Sequence, residues 1–140
     1  MIVLDTNVVS ELMRNAPDPG VLAWVDGQPA DELYLTSVTA AELLHGVALL
    51  SPGRRREQLA QKVGRLIDEV FEGRVIPFDS VASVEYVRIT GTSARAGAAI
   101  SVADALIATT AAAVGADTFA TRNVRDFSDT GLTVVNPWGS

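Results

Sequence analysis

Three acids stand inside segments that are otherwise apolar or small. Asp5 follows Ile2–Leu4, Glu42 lies between Ala41 and Leu43, and Asp104 lies between Ala103 and Ala105. Segments of this kind form the interior of a fold, where an unpaired carboxylate costs several kcal/mol or keeps its proton. A chain that accepts this three times has to bring the acids together around positive charge. A divalent cation with oxygen preferences is the natural candidate.

Around these acids, short β-like runs alternate with stretches of helical periodicity, which argues for βα units and a largely parallel sheet. Ile2–Leu4 reads as a buried strand and residues 8–14 as the helix leaving it. Residues 15–20 form a Pro/Gly turn, and 19–25 open a second helix. Leu33–Thr36 is a strand, followed by a helix over 38–50. Residues 56–72 form a longer amphipathic helix, with Leu59, Val63, Leu66, Ile67 and Val70 at helical spacing. Residues 75–77 are a short strand, 81–94 and 102–114 are helices, and 118–121 and 133–135 are the last strands. No boundary, repeat or low-complexity tract divides the chain, so residues 1–140 are expected to form a single domain.

Composition removes many rival chemistries. The chain has no cysteine, so disulfide frameworks, thiolate zinc sites and cysteine nucleophiles are excluded. His45 is its single histidine, which rules out a His-rich metal site within one subunit and reads as a structural or rim residue. The first apolar run has no basic leader and is interrupted by Asp5, and the most apolar later stretch is too short for a bilayer. The expectation is a soluble, cytoplasmic protein without membrane partners. A net charge of −6 is the wrong sign for nonspecific adhesion to nucleic acid, although a bound cation would offset acids grouped in a metal site. Ten of the eleven basic residues are arginine, and Arg54, Arg55 and Arg56 are consecutive. Their plain reading is a solvated helix start or loop.

Placed on the expected elements, Asp5 lies just past the carboxyl end of the first strand, where open parallel sheets put their ligand crevice. Glu42 falls in the first turns of the helix after the second strand, Asp104 near the start of helix 102–114, and Asn123 and Asp126 directly after strand 118–121. Each position also has an ordinary structural explanation. Asp5 can cap its helix, Glu42 can form a capping box with Thr39, Asp104 can be a first-turn acid near a Ser101 cap, and Asp126 can belong to a turn. Capping accounts for each residue separately, but not for their gathering at one sheet edge. Other acidic sites fit less well. A receiver domain wants paired acids on its first strand, a haloacid-dehalogenase-type phosphatase wants a second Asp where Asn7 stands, and no GxGxxG or P-loop is present.

The segments MIVLDTNVVSEL, LYLTSVTAAELLHGVALL, ISVADALIATTA, FATRNVRDF and the closing NPW, in this order and spacing, resemble the PIN-domain ribonucleases. The similarity is to VapC-type toxins of bacterial toxin–antitoxin pairs, in the FitB-like branch, and it runs from Met1 to Trp138. It implies a PIN-like α/β/α sandwich with a central, mostly parallel sheet. It also implies Mg2+-dependent hydrolysis of RNA phosphodiester bonds, with Mn2+ as a possible substitute. Asp5, Glu42 and Asp104 match the first three acids of the family's quartet, with Asp5 and Asp104 as the expected metal ligands. At the fourth position this chain has Asn123, and Asp126, one helical turn later, is the possible replacement acid. Arg122 and Arg125 are candidates for contact with the RNA backbone. A cognate VapB-type antitoxin and a homodimer are the implied partners. The alternative function is a catalytically silent PIN-fold binding module in a regulatory complex with a DNA-binding antitoxin.

Overall fold

The structure, a computed structural model, describes every residue of the chain except Ala96, Ala98 and Ser140. Five strands form one sheet in the order β3-β2-β1-β4-β5. They are β1 (Ile2–Leu4), β2 (Leu33–Thr36), β3 (Val75–Ile76), β4 (Thr118–Ala120) and β5 (Val134–Val135). Every pairing is parallel. The helices between them are α1 (Thr6–Leu12), α2 (Pro19–Asp26), α3 (Ser37–Ala48), α4 (Arg54–Arg65), α5 (Ser80–Arg95) and α6 (Val102–Ala113).

The first strand is the middle of the sheet, and its alternation sets up the layers. Leu4 joins one buried cluster with Val8, Val9, Val21, Leu43, Val47 and Val63 from α1–α4. Its neighbour Val3 joins a second cluster with Ile89, Ile107, Ala108, Ala111, Phe119 and Phe127, which carries α5 and α6. Successive strand side chains point to opposite faces, so the result is a three-layer α/β/α sandwich. The Phe119 and Phe127 rings, 4.6 Å apart and tilted by 48°, pin the segment after β4 beneath the second layer.

Capping chemistry fixes where the helices begin. Asp5 is the N-cap of α1, so that helix starts two residues before the apolar periodicity at Val8. Asp18 accepts from the Gly20 and Val21 amides with Pro19 in the first turn of α2. Thr36 accepts from the Thr39 amide at 3.1 Å, and Ser101 from the Asp104 amide at 3.2 Å. The expected single helix over 56–72 is corrected. Regular α-helix ends at Arg65, and Leu66–Val70 widens into a π-type turn that brings Phe71 into the first core. Two short 3-10 turns, Ala30–Glu32 and Val124–Phe127, stand in segments to which the sequence assigned no element. Among the described residues, no helix is long and apolar enough to cross a membrane.

Candidate active site

The sheet brings the acids to one edge. Asp5 follows β1, Glu42 lies in the second turn of α3 behind β2, and residues 121–126 follow β4, the strand on the other side of β1. Asp104 is in the first turn of α6. All these positions are carboxyl ends of parallel strands or the beginnings of helices, where such sheets open a crevice.

Asp5 is the innermost member, with 3% of its surface exposed. Its Oδ1 accepts the Thr6 amide at 2.8 Å, and its Oδ2 accepts the Thr121 hydroxyl at 2.7 Å. The Asn7 amide nitrogen lies 3.4 Å from the same Oδ2 and 3.3 Å from Thr121 Oγ1. Burial pushes the Asp5 carboxyl up to about 6; the two hydrogen bonds oppose the rise, and the charges of Asp104 and Glu42 add to it. Burial also raises Asp104 above the usual carboxylate range, against the pull of Ser101, and the charges of Asp126 and Glu42 raise it further.

Glu42 is exposed and accepts the Thr6 hydroxyl at 2.6 Å. Thr6 Oγ1 is also 3.0 Å from Thr39 Oγ1, which in turn receives a hydrogen bond from Thr36. The capping box of Glu42 with Thr39 is therefore corrected: Thr36 already caps α3, and the Glu42 carboxylate turns across to α1. Two of the candidate site acids also stand at caps, since Asp5 caps α1 and Asp104 lies over the Ser101 cap.

Asn123 and Asp126 are both exposed and line a small cleft together with Arg122, Arg125 and Asn136. The Asn123 amide donates to Thr121 Oγ1 at 3.0 Å, which ties its backbone to the hydroxyl that holds Asp5. The Asp126 charge reaches Asp104 and helps to raise it. The guanidinium of Arg122 lies 5.1 Å from the centre of the Trp138 ring, while its amide donates to Asn7 Oδ1. His45 is exposed in the last turn of α3, a rim position.

Four polar residues of the site were not singled out by sequence: Thr6, Asn7, Thr39 and Thr121. The signal available for the first two was adjacency, because Asp5-Thr6-Asn7 places two more polar groups directly behind a buried strand. Thr39 reads only as a capping partner of Glu42, and Thr121 carried no signal of its own.

The donor set suits a divalent cation. Burial raises both carboxyls and the neighbouring acids add to the rise, so positive charge held beside them would relieve both. Among the described residues, no three carboxylate or imidazole side chains close into a ready cage. Mg2+ ordinarily keeps several waters and takes one or two carboxylates, so a pair of acids with polar neighbours is sufficient.

An α/β/α protein with an acidic crevice at the carboxyl edge of a five-stranded parallel sheet is the class that fold and site define. The PIN domain model matches residues 2–131, and the chain belongs to the PIN-domain family. It is 43% identical over 138 residues to a VapC ribonuclease, Y4jK, of Sinorhizobium fredii, covering 99% of this chain and 98% of that one. It is 39% identical to the toxin FitB of Neisseria gonorrhoeae, covering 99% of each. The solved structure of FitAB bound to an IR36 DNA fragment contains a chain that superposes with a TM-score of 0.93 at 38% identity, over 100% of this chain and 97% of that one.

Proposed function

We propose that the chain is a metal-dependent endoribonuclease that acts as the toxin of a bacterial toxin–antitoxin pair, with residues 1–140 as one PIN domain. The observation that carries the reading is Asp5, a buried carboxylate raised to about 6 beside Asp104 and Glu42 at the sheet edge. Similarity to a VapC ribonuclease and to the toxin FitB supports the substrate class and the toxin role.

Mg2+, with Mn2+ as substitute, is the cofactor we assign, and Asp5 and Asp104 are the residues that would hold it. When bound, it supplies positive charge to a phosphate oxygen and acidity to a coordinated water. Thr121 and the Thr6 amide fix the orientation of the Asp5 carboxylate. Glu42, anchored by Thr6, orients the attacking water and accepts its proton. Asn123 holds a water at the outer edge, and Asp126 adds negative charge on the Asp104 side. Arg122 and Arg125 meet the RNA backbone beside them.

The partner is a cognate VapB-type antitoxin, in keeping with the FitAB assembly. A basic antitoxin side chain inserted among the carboxylates would replace the cation and block the site. The toxin itself forms a homodimer, for which the exposed Val81, Val84 and Val87 on one face of α5 provide apolar surface. Its place of action is the cytoplasm, where RNA is available.

The test is cleavage of RNA by purified protein with and without added Mg2+ or Mn2+. Cleavage that requires metal supports the reading. Folded protein that binds RNA or antitoxin but never cuts, with either metal, would establish the silent binding module instead.

A further inference from the structure

A cleft of about 910 Å³ opens between α1, α3 and α4, and Thr6 and Glu42 are part of its wall. Its charges are unlike those of the chain as a whole. Acidic side chains outnumber basic ones by 17 to 11 in the sequence. Yet Arg14, Arg55, Lys62 and Arg65 all line this cleft, and Glu42 is the sole acid among its lining residues. Arg14 is occupied by buried Glu11, at 3.3 Å. Lys62 donates to the Met13 carbonyl at 2.9 Å, a bond that positions its charge without neutralising it. Among the described residues, Arg55, Lys62 and Arg65 take part in no ion pair.

Helix stability explains only part of this placement: Lys62 and Arg65 lie in the last turn of α4, where the dipole favours a cation, but Arg55 does not. Arg55 is in the first turn of α4, where the helix dipole disfavours a cation, and Arg54 and Arg56 flank it there. What the three residues share is a face. Arg55 and Lys62 are two turns apart, about 10 Å along the helix, and Arg65 follows about 5 Å further on. A row of unneutralised cations therefore runs beside a cluster of carboxylates. An acidic chain with an acidic site repels a polyanion, and a local cationic lane is what reverses the field along one approach.

Resting on the ribonuclease reading above, we propose that this cleft is the track for the backbone of single-stranded RNA entering the acidic site, with Arg55, Lys62 and Arg65 each holding a phosphate. No aromatic side chain lines the cleft among the described residues, so bases have no stacking platform there. Recognition along this track is electrostatic and indifferent to base sequence. Any choice of cutting site is made elsewhere.

The experiment is fluorescence anisotropy of a short, labelled, unstructured RNA with the purified chain in EDTA, over a series of salt concentrations. Arg55 and Arg65 are exposed, so the double variant Arg55→Ala/Arg65→Ala leaves the core untouched. It should bind RNA at least ~10-fold more weakly at low salt. Its slope of log affinity against log salt should be shallower by about 1.4, or about 0.7 for each phosphate no longer held. Arg55→Lys/Arg65→Lys should restore most of the slope. Asp5→Asn should still bind RNA in EDTA, so a wild-type chain that cuts no RNA would overturn the nuclease reading without touching this measurement. Unchanged affinity and slope in the alanine variant would overturn the track. So would a variant that binds RNA normally yet no longer captures its antitoxin, which would make the cleft a protein-docking surface.

Discussion

The Thr6 hydroxyl donates to Glu42 Oε1 at 2.6 Å while the Thr6 amide donates to Asp5 Oδ1 at 2.8 Å, so one residue orients two acids on different elements. A hydrogen bond to a charged group contributes about 1.5–3 kcal/mol. Thr6→Val keeps the shape and the amide but frees Glu42, and should lower kcat on the order of 10-fold or more with little change in KM. Thr6→Ser should restore the rate. Steady-state cleavage of a defined RNA checks this; a larger effect on KM than on kcat would mean that Thr6 serves binding instead.

Asp5→Asn and Asp104→Asn remove charge with little change in volume. Each should lower single-turnover cleavage at least ~10²-fold, comparable to deleting one preorganised electrostatic group. Asp5→Asn should not destabilise the metal-free protein, because it replaces a carboxylate whose burial disfavours ionisation. A folded Asp5→Asn protein that cuts at the parental rate would remove Asp5 from the mechanism.

The raised Asp5 carboxyl sets the sign of a pH effect on stability. Between the ordinary carboxylate range and about 6, the folded chain keeps a proton that the unfolded chain has lost. The Asp5 contribution to the stability of metal-free protein is therefore full at low pH and falls as pH rises through about 6, by roughly 3 kcal/mol. Asp104 acts in the same direction. Saturating Mg2+ or Mn2+ binds the ionised form, so the rise in Tm on adding metal should grow from pH 5 to about pH 7. Calorimetry that finds the same metal-induced shift at both pH values would contradict the assignment.

Asn123 and Asp126 make opposite predictions. If Asn123 holds a water at the site edge, Asn123→Ala should cost about 10-fold in cleavage, and Asn123→Asp should match or exceed the parent by adding charge that favours the cation. If the charge near Asp104 is the one needed, Asp126→Asn should be the more damaging change. Cleavage rates for the three variants decide between them, and a harmless Asn123→Ala beside a dead Asp126→Asn reverses the assignment.

Partner binding can be read without activity. The free chain should sediment as a dimer at micromolar concentration, and Val84→Asp with Val87→Asp should shift it toward monomer, since both side chains are 72% exposed and apolar. Co-purified with its antitoxin, the protein should be inactive. A monomeric parent protein, or a complex with full nuclease activity, would refute the respective claim.

Much of this was legible in the sequence because strand and helix beginnings carry local chemistry. Ile2–Leu4 and Leu33–Thr36 match their expected bounds, and the cap expected at Ser101 marks a real helix start. The acids were legible for a related reason: a carboxylate after a wholly apolar run is costly without a purpose. What local pattern cannot carry is pairing across the sheet. Nothing in the order of segments says that β1 is flanked by β2 and β4, and so nothing linked Thr121 to Asp5 or Glu42 to Thr6. The change at Leu66 was hidden because apolar spacing continues smoothly from α4 into the π-type turn.

The central position of β1 has a consequence for synthesis. The Asp5 carboxylate acquires its hydroxyl partner only from residue 121, which is 116 positions later, and β1 finds its second neighbour only when β4 arrives. Contacts of such long range form late in folding. A nascent chain therefore holds Asp5 without its Thr121 partner, and β1 without its second neighbour, until residues 118–121 have been made.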